Sequence, residues 1–464
     1  MSADLYKNLM EKNKKYPFHM PGHKRNFDFQ FNLDMDITEI QNFDNLHNAN
    51  GIIKEAQDKC AKLFGADETF FLVNGSTGGI LSAVMSVVNE GEKIIVARNC
   101  HKSVYNALIL SGAKPIYVMP NFIEEYGIYT DLNLNSLTEC IKNNKDAKAV
   151  IITSPTYEGF VSNIEKISNI VHKNNMIFIV DSAHGAHFDF NDYFPKTPIK
   201  TGADIIIQSF HKTLPSLTQT AVIHIKGNRV NKDRLKKMLS VFQSSSPSYI
   251  FMASLDRCRD FLENESKSIF EIYINRLKKF RKSMKNLKNI ELLNYNNDIY
   301  DNGKLVFYTP FLSGKEFENL LFKRYNIQIE MSGFNHIICM TSICDTEEGF
   351  EMLKNALFEI DNLLNKNKMR KTNFIDLNIP EVILTPIEAF FKPKKSILFK
   401  NSVGKISGEF IIPYPPGVPI LVMGEKISDK IIDQTIKFYE KGIDILGLRH
   451  NNIEKLDIVW HIVL

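Results

Sequence analysis

Short apolar runs alternate with amphipathic stretches from about residue 52 to residue 209, and this alternation restricts the possible folds more than any other feature of the chain. The runs are Thr69–Val73, Lys93–Arg98, Pro115–Met119, Ala147–Thr153, Met176–Asp181 and Ala203–Ser209. Helical patterns separate most of them, as at Ile53–Phe64, Ile80–Val88 and Asn163–Asn174. Unbroken apolar runs of this length suit strands buried on both faces, and the intervening helices are what cover those faces. The pattern predicts an α/β fold with a mostly parallel central sheet and helices on both sides. Ligands of such sheets bind at the carboxyl ends of the strands.

Three polar stretches fall at those ends. Gly75-Ser76-Thr77-Gly78-Gly79, between a strand and a helix, has the glycines, hydroxyls and free N–H groups of a phosphate cup. It fits an ordinary capped turn equally well, and it is neither a Walker loop nor a dinucleotide fingerprint. Asp181 closes the fifth run, and Ser209-Phe210-His211-Lys212 closes the sixth. A lysine is a poor ending for a buried strand unless its amine has a task. One such task is a Schiff base with a carbonyl, which needs a desolvated amine of lowered pKa. An aspartate able to hold a pyridinium proton, beside such a lysine, is the pair required by pyridoxal 5'-phosphate chemistry. His184, His187 and His211 lack the helical spacing of a zinc site, so hydrogen bonding around a cofactor is expected in place of metal. His101, just after the second run, could stack on a flat ring or move a proton, or simply stand at a helix start.

The remaining chain divides into an arm at 1–50, a large domain at 51–288, a small α+β domain at 289–364, a charged linker at 365–371 and a last domain at 372–464. Two prolines and a glycine in Pro17–Lys24 deny the arm a helix there. Proline-rich Pro413–Pro419 reads as an extended wall. The 464 residues carry 57 basic and 53 acidic side chains, a net charge of +4 with both signs scattered. Nothing in that balance asks for nucleic acid or a membrane surface. No apolar run approaches the roughly 18 residues of a membrane span, the N-terminus has no signal core, and six cysteines form no CxxC pair. A cytoplasmic protein with reduced thiols is expected.

Four motifs, Pro17–Lys24 (PFHMPGHK), Asn74–Gly79, Ser209–Lys212 with Leu214–Gln219, and Pro413–Pro419 (PYPPGVP), span nearly the whole chain. In these the chain resembles the fold-type-I pyridoxal phosphate decarboxylases of ornithine, lysine or arginine, in their short form. The resemblance implies that Lys212 bonds the cofactor aldehyde and Asp181 its ring nitrogen. It gives the phosphate to Ser76, Thr77, Ser209 and His211, the ring face to His101, and a place near the ring to His184. It also implies a homodimer with sites at the interface, the N-terminal arm being a candidate for the partner's contribution. Long members carry an extra N-terminal domain that this chain does not show, so their ring assemblies are not expected. Phe210 stands where they usually have a threonine.

The expected reaction is loss of CO2 from a basic amino acid, arginine first and lysine or ornithine next, with Lys212 or His211 returning a proton. A cationic substrate end needs a carboxylate, for which Glu39, Asp44, Glu330 and Glu409 are candidates. An aminotransferase, or a lyase or cyclase on a related amino acid, is the rival reading, and a non-catalytic protein of the same fold is a third.

Overall fold

The structure, a computed structural model, describes residues 15–28, 33–364, 379–414, 418–440, 442–448 and 453–459. Its strands, in chain order, begin with β1 (Tyr16–Phe18), β2 (Glu68–Leu72), β3 (Lys93–Ala97) and β4 (Lys114–Val118). A hairpin of β5 (Pro120–Ile123) and β6 (Ile128–Leu132) follows, then β7 (Ala149–Thr153), β8 (Ile177–Asp181), β9 (Ile205–Gln208) and β10 (Ala221–Ile225). The central sheet has seven strands in the order β2-β10-β9-β8-β7-β3-β4. All are parallel except β10, which runs antiparallel to both its neighbours. Its innermost strands are runs rich in Ile, Val and Phe, buried in β8 and β9 at every position but Ile177, as expected where helices cover both faces.

Local chemistry sets the helix ends. Asn133, Asn163 and Asn231 each accept a backbone N–H three residues on, satisfying a donor that the first turn leaves free. The helix Ile52–Phe64 stops at Gly65, whose φ of 74° lies in the left-handed region that glycine enters without strain. The helix after β2 runs Gly75–Val87, so it starts five residues earlier than the glycine-rich sequence suggests. Packing overrides propensity there: a Cβ on Gly79 would stand 2.5 Å from Leu72 Cδ1. Only a bare Cα lets this first turn lie against β2.

A 36-residue helix, Tyr249–Met284, leads to a second sheet. That sheet contains β11 (Glu291–Leu292), β12 (Lys304–Tyr308), β14 (Met331–Ser332) and β15 (His336–Met340), with β13 (Ile327–Ile329) alongside. Phe270 stacks on Phe190 at 5.5 Å and Phe280 meets Phe307 at 6.3 Å, so the long helix joins the cores of both sheets.

The arm is not a free appendage. β1 pairs in parallel with β13 of its own chain, and Gly22 N–H donates to His211 O at 2.7 Å. A Cβ on Gly22 would stand 2.8 Å from Leu214 O, so backbone lies directly on backbone. Pro17–Lys24 thus packs against the Lys212 turn of its own chain. Within the arm's own chain, Lys24 Nζ donates to the carbonyls of Pro17, His19 and Met340.

The last part holds two strand pairs, β16 (Lys394–Leu398) with β19 (Lys455–Val459) and β17 (Ile412–Tyr414) with β18 (Asp444–Leu446). They surround a separate core containing Phe399, Ile411, Leu421 and Leu456. Pro413 is tolerated in so short a pair, where few ladder bonds are required. Residues 415–417 of the proline-rich run, and the linker 365–371, lie outside the described residues.

Candidate active site

Adjacent parallel strands β8 and β9 end side by side, bringing Asp181 and the Lys212 turn to the same edge of the sheet. Asp181 is 2% exposed, and its Oδ1 accepts the Ala183 N–H at 3.2 Å. Burial raises its pKa, and positive charge on the nearby Lys212 would oppose that rise. Burial also lowers the pKa of the Lys212 amine, against the pull of Asp181 and Glu330. The two groups thus feel each other across a desolvated gap, the condition for a nucleophilic lysine.

Three histidines surround this amine. His184 is buried, with Nε2 3.0 Å from Lys212 Nζ, and its ring lies 4.6 Å from that of Tyr157. Burial, then Lys212 and Lys304, push its pKa far below the usual value, so the ring is neutral. His101 caps the helix Lys102–Ser111, and its Nδ1 accepts the Ser103 N–H, which leaves the proton on Nε2. Burial and then Lys212 bring its pKa down to about 4. His211 Nδ1 donates to Thr220 O at 2.8 Å, so its free nitrogen is Nε2. Burial brings its pKa to about 4 as well.

These groups fit pyridoxal phosphate. The Ser209 hydroxyl is fully buried with no hydrogen-bond partner, an orphan that a phosphate oxygen would satisfy. The helix Gly75–Val87 begins without a side-chain cap, because Asn74 instead donates to Phe242 O. Its first N–H groups, with half-buried Ser76 and exposed Thr77, are free for an anion. Gly75, with φ of 69°, makes the turn into that helix.

The substrate carboxylates divide. Asp44 is occupied: its two oxygens accept five backbone N–H groups, from Asn45, Asn50, Gly51, Ile53 and Lys54. It is a cap for the helix Ile52–Phe64, which corrects its reading as a substrate group. Glu409 is buried and accepts the Asp457 N–H at 2.7 Å within the C-terminal part, which corrects it likewise. Glu39 lies beside Tyr249, whose phenol it helps burial to raise, and does not line the cavity described below. Glu330 accepts the Met20 N–H from the arm and acts on both Lys212 and Lys304. His187 pairs with Asp301 at 3.2 Å, and the described residues contain no cluster able to hold a metal ion.

Two residues escaped the sequence reading. Lys304, at the start of β12, is 1% exposed and places Nζ 2.7 Å from His184 Nδ1. Glu158, 4% exposed, is the one carboxylate among the described residues that line a cavity of about 490 Å³. Tyr105, Tyr129, Phe410 and Tyr414 supply aromatic walls to that cavity, and His101, Thr153 and Tyr157 join it to the Lys212 cluster. Lys212 Nζ stands 5.7 Å from the Tyr157 ring centre. A lysine opening a strand and a glutamate in a loop carry no local signal. Only the fold brings them to the site.

Known proteins resemble the chain along nearly its whole length. The chain is 35% identical to an arginine decarboxylase of Bacillus anthracis, covering 98% of this chain and 97% of that one. It is 33% identical to the arginine decarboxylase of Bacillus subtilis over the same shares. Its fold superposes on the constitutive lysine decarboxylase of E. coli with a TM-score of 0.80 at 20% identity, over 98% of this chain and 81% of that one. Residues 3–326 match the Orn/Lys/Arg decarboxylase major domain, and residues 368–445 match the C-terminal domain of the same family. With an aspartate and a lysine meeting at one strand edge and both domains accounted for, the chain belongs to the Orn/Lys/Arg decarboxylase family.

Proposed function

We propose that this protein removes the carboxylate of arginine, with pyridoxal phosphate, to give agmatine and CO2. The observation that carries the reading is the desolvated Lys212 amine at the strand end beside buried Asp181. Arginine is favoured over lysine and ornithine by two further facts. The relatives matched over nearly their whole length are named arginine decarboxylase. The cavity beside His101 also pairs a buried carboxylate with aromatic walls, and a guanidinium both stacks on such rings and bonds a carboxylate through two N–H groups.

In this reading Lys212 bonds the cofactor aldehyde, and Asp181 holds the proton of the ring nitrogen. Ser209, Ser76, Thr77 and the first turn of Gly75–Val87 hold the phosphate, and His101 covers the ring. Pyridoxal phosphate, when bound, supplies the sink into which the bond to the departing carboxylate empties its electrons. Glu158 takes the guanidinium and so orients the substrate, while Phe410 and Tyr414 screen the cavity from water. Lys212 would also be placed to return a proton to Cα of the substrate. Ile40, Phe43 and Ile52 are exposed, and a second copy in a homodimer would be one way to cover them.

The test is a panel of arginine, lysine and ornithine, scored by released CO2 and by the amine formed. Fastest release from arginine, with an absorbance near ~420 nm that is lost in Lys212→Ala, is the expected result. Amine transfer to a keto acid without CO2 would overturn the reading.

A further inference from the structure

A neutral imidazole has one N–H and one lone pair, so it can donate to one neighbour and accept from another. His184 has an amine at each ring nitrogen, Lys212 at Nε2 and Lys304 at Nδ1. An ammonium donates and has no lone pair with which to accept. Two ammonium groups therefore cannot both be hydrogen-bonded to a neutral His184, and one of the two lysines must be an unprotonated amine.

The surroundings decide which one. Lys304 faces Asp301 from the turn before β12, Glu330 from the segment after β13 and Glu158 from the loop after β7. Lys212 faces Asp181 and Glu330, with His101 and His211 as its other titratable neighbours. The shorter contact, 2.7 Å, is also that of Lys304. The backbone is shaped around this residue: a Cβ on Gly159 would stand 3.0 Å from Lys304 Cγ, and Arg281 donates to Lys304 O. The proton belongs on Lys304, the Nδ1 lone pair accepts from it, and Nε2–H is left to point at Lys212.

We propose that Lys304 is a positioning residue that acts through His184, fixing its Nε2–H tautomer and so holding the Lys212 amine unprotonated and ready to bond the cofactor. The proposal rests on the reading of Lys212 given above, and no contact of Lys304 with substrate is required. A lysine beside another cation is a recognised way of making an amine nucleophilic. Here the neighbouring charge is relayed through a ring that can carry only one proton.

The test follows cofactor capture. The enzyme is stripped of pyridoxal phosphate and given it back across a pH series, and the rate of recovery of the ~420 nm band measures the unprotonated fraction of Lys212. In Lys304→Met the midpoint of this rate moves up by about one pH unit or more, so capture at pH 7 slows about tenfold. Lys304→Arg, which keeps the charge, restores the wild-type midpoint. In a His184→Gln background the change at Lys304 has little further effect, because the relay is already cut. Where the methionine variant does not fold, Lys304→Gln removes the charge and retains a donor. An unchanged midpoint in Lys304→Met or Lys304→Gln, with the band still dependent on Lys212, overturns this proposal alone. A full shift persisting in the His184→Gln background overturns the relay. A band that survives Lys212→Ala overturns the underlying reading and this proposal together.

Discussion

Glu158 shows what burial does to a single side chain in this protein. Enclosed beside Thr156 and Lys304, its carboxyl has its pKa raised by desolvation, which the Lys304 charge only partly offsets, and a cationic substrate would add a second counter-charge. Glu158→Gln keeps the shape and removes that charge. We expect KM for arginine to rise about 10- to 100-fold, the scale of one lost charged hydrogen bond, with the ~420 nm band retained. Steady-state kinetics on both forms check this, and an unchanged KM would move the guanidinium elsewhere. Lys212, Asp181, His101 and Ser209 could be named from the sequence because each follows an apolar strand directly. Glu158 and Lys304 could not, since their roles come from contacts made across more than a hundred residues.

At the level of elements, caps and close approaches decide what sequence patterning leaves open. Most strands and helices fall within a few residues of where periodicity puts them, as Ile52–Phe64 against an expected Ile53–Phe64 and Ile177–Asp181 against an expected Met176–Asp181. β10 escaped because only the one-turn helix Phe210–Thr213 separates Ala221–Ile225 from β9, and an antiparallel insertion breaks the strand–helix rhythm by which the other strands are recognised. Asp44 shows how a plausible charge can turn out structural. Burial pushes its pKa up, but backbone N–H groups outweigh that and hold it below the ordinary carboxyl range. A carboxyl depressed on folding stabilises the native state above its unfolded pKa of about 3.9 and loses that contribution as pH falls through the folded value. Asp44→Ala should cost about 1–2 kcal/mol at pH 7 and progressively less below pH 4. Urea midpoints measured at both pH values check the sign.

For the whole molecule, one buried ion pair fastens the C-terminal part to the large sheet. Arg98, just after β3, bonds Glu425 through both ends of its guanidinium, at 2.6 and 2.9 Å, and donates to Pro419 O at 3.1 Å. Its own carbonyl accepts from the Tyr105 hydroxyl at 2.6 Å. Burial opposes the charge on Arg98, but Glu425 more than restores it. Glu425→Ala would leave a charge buried without a partner, costing about 3–5 kcal/mol, while an Arg98→Met/Glu425→Leu double variant costs less. Limited proteolysis should then release the C-terminal part of Glu425→Ala faster than that of the wild type, with loss of activity as Phe410 and Tyr414 leave the cavity.

Pairing of Tyr16–Phe18 with Ile327–Ile329 has a consequence for synthesis. The ribosome releases the segment that braces the catalytic turn first, and the strand that receives it some three hundred residues later. Until that long circuit closes, β1 has no strand to pair with, so a nascent chain with its central sheet already formed still lacks the strand that anchors the arm lying on the Lys212 turn.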